Sequence, residues 1–324
     1  MKRSIAVVCG GDSSESEVSL RSAQGIFSFL DKTRYTPTIV ILHGSEWVAV
    51  VDEKTSVAID KNDFSYIYDG IRHTFDFAYI TIHGTPGENG RLQGYFDMLH
   101  LPYSCCGVLA AALTFNKYAC NHYLQDFNIN ISPSLLLRKT DSIDDSTVIE
   151  KIGLPCFIKS NVGGSSFGCT KVKSTEEIQP AIRRAFQEGD EVIIEAFMKG
   201  TEITCGVYKT QEKAVAFPIT EVVSKNEFFD YNAKYNGEVS EITPARIPDS
   251  VRDAVQKLTL HIYDILGCKG IIRVDYILTE GWKINLLEIN TTPGMTATSF
   301  IPQQVRAAGM SMADVLTDII EDHF

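Results

Sequence analysis

The stretch Ile271-Ile-Arg-Val-Asp-Tyr-Ile-Leu-Thr-Glu-Gly-Trp-Lys-Ile-Asn-Leu-Leu-Glu-Ile-Asn290-Thr-Thr-Pro-Gly294 reads as two strands, Ile271 to Leu278 and Lys283 to Ile289, running into a loop. Arg273 and Asp275 stand two residues apart, as do Glu288 and Asn290. Within each strand both side chains therefore face one side of the sheet. Two carboxylates, an amide oxygen and a guanidinium would converge there. Oxygen ligands of this kind suit Mg²⁺, which binds through one or two carboxylates plus substrate phosphates. Arg273 would neutralise charge developing nearby. An exposed strand face with an ordinary Arg–Asp pair accounts for the same spacing. The loop Thr291 to Ser299 adds Pro293-Gly294 and hydroxyl residues beyond it, at the end of the candidate metal strand.

Outward from this pair, the chain is α/β. Ile5 to Cys9 is a short apolar run closed by Gly10-Gly11, and Val18 to Leu30 has helical spacing. Thr38 to Leu42, Trp47 to Val51 and Phe77 to Ile82 read as strands, Leu92 to Leu99 and Val108 to Phe127 as helices. After Pro133, strands alternate with Gly-rich or polar loops, interrupted by one helix, Glu176 to Phe186. Glu202 to Val223 alternates as antiparallel strands do, and Ser224 to Ser240 is a long polar loop, which inside a compact region is usually functional or disordered. Helices Val251 to Leu266 and Met312 to Asp322 flank the strand pair.

Other groups could carry chemistry. Lys159-Ser-Asn-Val-Gly-Gly-Ser-Ser-Phe-Gly168 is a strand followed by a loop whose N–H groups can wrap phosphate oxygens, with Lys159 as a point charge. It is not a Walker A loop, because Cys169 stands where the lysine must be. A β-hairpin turn with glycines at positive φ fits equally. Lys117 is a second candidate for phosphate contact. Glu15 follows a strand end, where open α/β sheets place ligands, and could pair with an amino group. Capping by Ser13 or Ser14, with Glu15 supporting the helix dipole, explains the same residues. His83-Gly84 follows another strand as either a site group or a packed histidine, and Lys234-Tyr235 sits in the long polar loop.

With 30 Lys+Arg against 41 Asp+Glu in 324 residues, the net charge is −11. That argues against a broad nucleic-acid or anionic-membrane footprint, which needs clustered cations, and points to a small-molecule partner. The eight cysteines are scattered through apolar context without a C-x-x-C pair, and Ile5 to Cys9 is too short for a signal sequence. A reducing, cytoplasmic setting is expected.

Taken in order, these segments resemble the D-alanine:D-alanine ligases of the ATP-grasp superfamily through nearly the whole chain. The N-terminal motifs are Gly10-Gly11 with Glu15 and Glu17-Val-Ser-Leu20, His83-Gly84 with Gly87-Glu88, Leu92-Gln93-Gly94 and Pro102-Tyr103. Lys117, Lys159 with Gly164-Ser-Ser166, Glu195, Glu202 and Ala233-Lys-Tyr235 follow. Pro244-Ala245, Arg273-Val-Asp275, Glu288-Ile-Asn290, Pro293-Gly-Met-Thr296 and Ser299 complete the set.

The resemblance implies three units, 1–101, 102–196 and 197–324, with ATP clasped between two sheets, a lid at 224–240 and a homodimer. Lys117, Lys159 and Lys234 would hold nucleotide phosphates. Glu195 and Glu202 would contact adenine and ribose beside Ala196 and Phe197. Asp275, Glu288 and Asn290 would carry two Mg²⁺ ions, or Mn²⁺. Glu15 would orient the first D-alanine through its ammonium near His83, with Ser165 and Tyr235 in the network that holds the lid shut. Gly294, Ser299 and Phe300 would bind the second D-alanine, and Arg273 would stabilise the tetrahedral species.

The implied activity is ATP-dependent ligation of two D-alanines through an acyl phosphate, for peptidoglycan precursor synthesis. Alternatives are D-lactate or D-serine as acceptor, or a non-catalytic nucleotide-binding module. Depsipeptide-forming relatives usually differ at the Tyr235 position. Asn116, Ser160, Ala196 and Cys105-Cys106 depart from the usual pattern, in which Asp, Pro, Lys and a small polar pair are common.

Overall fold

The computed structural model describes residues 2–164, 168–224 and 239–324. Most of the expected lid lies outside the described residues, as do Ser165, Lys234 and Tyr235.

Strand β1 (Arg3–Gly10) pairs in parallel with β2 (Tyr35–His43). Antiparallel strands β3 (Glu46–Val50) and β4 (Ser56–Ala58) extend that side. A separate hairpin, β5 (Tyr66–Tyr68) and β6 (Ile71–His73), precedes β7 (Phe77–Ile80), which closes the other side of β1 in parallel. The sheet is therefore mixed, with order β4-β3-β2-β1-β7. Ile5 to Cys9 are fully buried because a central parallel strand is covered on both faces. Helices α1 (Ser16–Phe29) and α2 (Arg91–Met98) belong to this region.

The expected single helix Val108 to Phe127 is two helices, α3 (Val108–Phe115) and α4 (Lys117–Gln125). Asn116 is extended at φ −93°, ψ 98°, and its side chain accepts a hydrogen bond from the Ala119 N–H. An Asx cap thus stops one helix and starts the next, which hydrophobic spacing alone does not reveal.

A four-stranded antiparallel sheet follows, ordered β10-β9-β11-β8 from β8 (Ser134–Arg138), β9 (Cys156–Ser160), β10 (Thr170–Val172) and β11 (Glu191–Ala196). Two α-helices accompany it, α5 (Asp145–Lys151) and α6 (Ile178–Ala185), where the sequence suggested one. At seven residues α5 is too short for a clear 3.6-residue period.

The third sheet is ordered β15-β14-β12-β16-β17, with β13 (Ala214–Ala216) also on β12. Its strands are β12 (Thr201–Lys209), β14 (Thr220–Ser224), β15 (Val239–Ile242), β16 (Ile272–Thr279) and β17 (Lys283–Asn290). Helix α7 (Asp249–Ile265) packs Val255 and Ile262 against Ile203 and Val274 of this sheet, in one cluster with Ala111 of α3 and Leu124 of α4. Full burial of each such aliphatic side chain contributes about 1.5–3 kcal/mol.

After the Thr/Pro/Gly loop the chain forms α8 (Phe300–Ala307), which was not expected from the sequence, and then α9 (Met312–Glu321). Pro302 is tolerated in α8 because it sits in the first turn, where its missing N–H has no intrahelical partner. Val315, Leu316 and Ile319 of α9 share an apolar cluster with Ile5, Val7 and Ile26, so the carboxyl-terminal helix covers the first sheet. No helix among the described residues is long and apolar enough to cross a membrane.

Candidate active site

Two cavities, of about 720 and 420 Å³, lie between the three sheets and share Glu15, Lys117, Glu202 and Glu288 in their walls. The larger is of ordinary cofactor size. Every described residue to which the sequence analysis gave a catalytic, nucleotide, substrate or metal role lines at least one of them. Lys159, Glu195, Ala196 and Phe197 line the larger. His83, Arg273, Asp275, Asn290, Gly294, Ser299 and Phe300 line the smaller.

The β16–β17 ladder builds the acidic face. Asp275 stands opposite Glu288 and Arg273 opposite Asn290. Between Asp275 and Tyr276 the register shifts at a bulge, after which Tyr276 pairs with Leu286. As a result Leu286 and Ile289 both enter the core, while Leu287 and Glu288 both line the larger cavity. Simple alternation predicts Leu286 on the Glu288 face; the extra residue re-aims it. Arg273 donates from Nε to Asp275 Oδ1 at 2.9 Å and from Nη2 to Oδ2 at 2.8 Å. Asn290 Nδ2 donates to the same Oδ2 at 3.2 Å. The Arg–Asp pair is thus formed, as the plain reading held, but it is buried on a cavity wall. Burial alone pulls the Arg273 pKa down, yet Asp275, then Glu288 and Glu202, raise it overall. The guanidinium lies 5.2 Å from the centroid of the Phe300 ring.

Asp275, Glu288 and the Asn290 amide oxygen form a hard-oxygen donor set across two strands in register. That set fits a divalent cation that takes its remaining ligands from phosphate and water.

Across the cleft, Lys159 Nζ lies 2.6 Å from Glu195 Oε2 in a buried pair. Burial lowers the Lys159 pKa, but Glu195, Cys169 and Glu288 outweigh it and the net shift is upward. Lys117 goes the other way. Burial is the largest cause, and Lys159 adds to it, while Glu288 and Glu195 oppose. Lys117 opens α4 and donates to the Gly163 carbonyl.

Sequence reasoning missed how that helix start is held. Asn161, fully buried, accepts from the Tyr118 N–H at 2.8 Å and donates to Asn116 Oδ1 at 2.9 Å and Glu191 Oε2 at 2.8 Å. Strands β9 and β10 pair antiparallel, and Val162, Gly163 and Gly164, just beyond β9, help wall a cavity. Gly164 approaches Glu15 so closely that a Cβ would sit 2.7 Å from Glu15 Oε2.

Neither Ser13 nor Ser14 is the N-cap of α1, although Ser13 Oγ accepts from the Glu15 N–H at 3.3 Å in the turn that precedes it. The N-cap of α1 is Glu15, without a side-chain cap bond, and Ser13 Oγ donates to the His83 carbonyl at 2.7 Å. His83 is buried, its Nε2 is 3.5 Å from Ser22 Oγ, and burial followed by Arg273 holds its pKa down against Glu15. The loop after β17 docks here, with Thr292 Oγ1 donating to the Ile82 carbonyl at 3.1 Å and Met295 N–H to Ser22 Oγ at 3.2 Å. Ser299 stands at the N-cap position of α8 without a side-chain cap bond, its Oγ instead accepting from the Thr296 N–H at 3.1 Å.

Glu88 enters the sequence reading only through the Gly87-Glu88 motif, with no role attached. Its carboxylate accepts from the Gly84 N–H at 2.7 Å, yet burial and the nearby Glu15 raise its pKa from 4.5 to about 7. The folded chain therefore holds this proton more tightly than the unfolded chain. The associated stability is full below pH 4.5 and is lost as pH rises to about 7, by roughly 3 kcal/mol. Glu88→Gln should flatten the difference in melting temperature between pH 5 and pH 7; a variant as pH-dependent as the wild type would remove Glu88 as the cause.

The chain matches the family model described as D-ala D-ala ligase N-terminus over residues 4–106, and that described as D-ala D-ala ligase C-terminus over residues 123–321. It is 67% identical over 324 residues to a D-alanine--D-alanine ligase of Phocaeicola vulgatus, covering 100% of both chains. Among solved structures, a D-alanyl-alanine synthetase A from Vibrio cholerae is similar with a TM-score of 0.88 at 28% identity, covering 99% of this chain and 98% of that one. A VanG D-Ala:D-Ser ligase from Enterococcus faecalis gives 0.87 at 28% identity, covering 100% of each. Both halves of the sequence and the whole architecture agree: the chain belongs to the D-alanine:D-alanine ligase family and has its ATP-grasp fold.

Proposed function

We propose that this protein joins two D-alanine molecules at the expense of ATP, giving D-alanyl-D-alanine, ADP and phosphate for peptidoglycan precursor synthesis in the cytoplasm. One observation carries the reading: the Arg273, Asp275, Glu288 and Asn290 face and the Lys117–Lys159 pair converge on two cavities that share Glu288. The full-length relative at 67% identity supports it.

ATP and a divalent metal are what this ligase family uses. Two Mg²⁺ ions on Asp275, Glu288 and Asn290 are our assignment. When bound, they supply charge neutralisation of the phosphates. Adenine lies against Ala196 and Phe197, with Glu195 and Glu202 on base and ribose, and Lys117, Lys159 and Lys234 hold the phosphates. Glu15 and His83 orient the first D-alanine. One of its carboxylate oxygens attacks the γ-phosphorus, the bond to the β-phosphate oxygen breaks, and ADP leaves, making an acyl phosphate.

The second D-alanine, held by Gly294, Ser299 and Phe300, then attacks the acyl carbon through its uncharged amine. The C–N bond forms, phosphate leaves and the surplus amine proton passes to solvent. Arg273 faces the oxygen that becomes negative in the tetrahedral species. Water would destroy the acyl phosphate, which gives a lid at 224–240, with Tyr235 and Ser165, a chemical purpose. We take 1–101, 102–196 and 197–324 as the working units, the three sheets supporting that division. A homodimer completes the proposal; Met98, Val108 and Leu109 expose apolar side chains that pairing would cover.

The test is phosphate release from MgATP with and without D-alanine, with the product separated by mass. Release that depends on D-alanine and yields the dipeptide supports the reading; no release would favour a nucleotide-binding module. Competition between D-alanine and D-serine or D-lactate across a pH series reads the acceptor. A mixed product dominating at neutral pH would replace D-alanine as the second substrate.

A further inference from the structure

Helix α8 carries Phe300 and, one turn on, Gln304, so the two residues share a face. Gln304 is fully buried. Its Oε1 accepts from the Gly206 N–H at 2.9 Å, and its Nε2 donates to the Thr204 carbonyl at 3.0 Å and to Thr220 Oγ1 at 3.1 Å. Strand β12 is paired on this side with β14 at Glu202 to Thr204 and with β13 at Val207 to Lys209. The Gln304 amide fills the interval between those two ladders, making hydrogen bonds that a strand would otherwise make. Gly206 permits the approach, since a Cβ there would lie 2.4 Å from Ile301 Cδ1 and 2.7 Å from Gln304 Oε1.

The other side of β12 gives this contact its consequence. Thr204 is in register with Asp275 and Gly206 with Arg273. Gln304 therefore grips the backbone at the two levels that carry the Arg–Asp pair. A helical turn earlier, Ser299 holds the N-cap position of the same helix and Phe300 packs under the Arg273 guanidinium.

We infer that Gln304 is a positioning residue for the acceptor amino acid: it sets the spacing between the Gly294–Phe300 subsite on α8 and Arg273 on β16. The inference rests on the acceptor assignment proposed above. It adds that selectivity for a well-placed acceptor depends on a buried amide that touches no substrate. A displacement of the order of 1 Å at a reacting pair is enough to cost about two orders of magnitude in rate.

The test is Gln304→Met, similar in size but without the hydrogen-bonding amide, with Gln304→Glu retaining an acceptor for the Gly206 N–H. For Gln304→Met, the Michaelis constant of the acceptor D-alanine should rise about tenfold or more, with those of ATP and the donor D-alanine within about twofold. Gln304→Glu should fall between this variant and the wild type. The Gly206 amide should lose hydrogen-exchange protection in Gln304→Met whatever the enzyme's substrate. An unchanged acceptor constant, or equal changes in all three constants, overturns the positioning role. If the wild type makes no dipeptide, the functional reading fails, and an unchanged Gly206 exchange rate separately removes the clamp.

Discussion

Glu288→Gln should reduce D-alanine-dependent phosphate release by about three orders of magnitude or more, while the melting temperature barely moves. The swap keeps size and shape and removes one negative charge. That charge sits where Arg273, Lys117 and Lys159 all feel it, in the wall common to both cavities. It is also one of only two carboxylates in the proposed oxygen donor set, so its loss weakens metal and triphosphate together. Calorimetric titration with ATP at several Mg²⁺ concentrations should show the magnesium-dependent part of binding diminished. Wild-type turnover in this variant would remove the metal assignment.

Arg273→Ala should cost both activity and stability. Asp275 is buried, and Arg273 occupies both of its carboxylate oxygens. Truncation leaves an uncompensated buried carboxylate, worth about 3–5 kcal/mol of lost stability. Turnover should fall by about 10²–10³-fold through loss of the charge facing the developing oxyanion. Arg273→Lys separates the two effects. It restores a cation but not the planar fork, so denaturant unfolding should recover most of the stability while turnover stays at least about tenfold low. A lysine variant with full activity would mean that Arg273 acts only as a counter-ion to Asp275.

Much of this site is legible in the chain because its chemistry is local. The i, i+2 spacing of Arg273 with Asp275 places both on one face of a strand whatever the sheet around them. A strand end followed by Gly10-Gly11 or His83-Gly84 marks where ligands meet an open sheet. Helix α8 and the clamp of Gln304 were not legible. Nothing in the Ser299 to Ala307 spacing says that a glutamine will replace a strand along β12. The break at Asn116 was equally hidden, because the buried Asn161 that anchors the new helix start lies far along the chain.

The sequence by itself determined which residues could carry the chemistry, their pairing within each strand and, through its motifs, the family. Only the tertiary structure decided that Asp275 faces Glu288 beside a bulge, that Leu287 joins Glu288 on the cavity wall, and that Lys159 meets Glu195 of the neighbouring strand on the cavity face. The physical reason is range. Side-chain direction within a strand follows from the backbone of a few residues, whereas register, bulges and cross-strand ion pairs depend on which distant segments pack together, and packing is a property of the whole core.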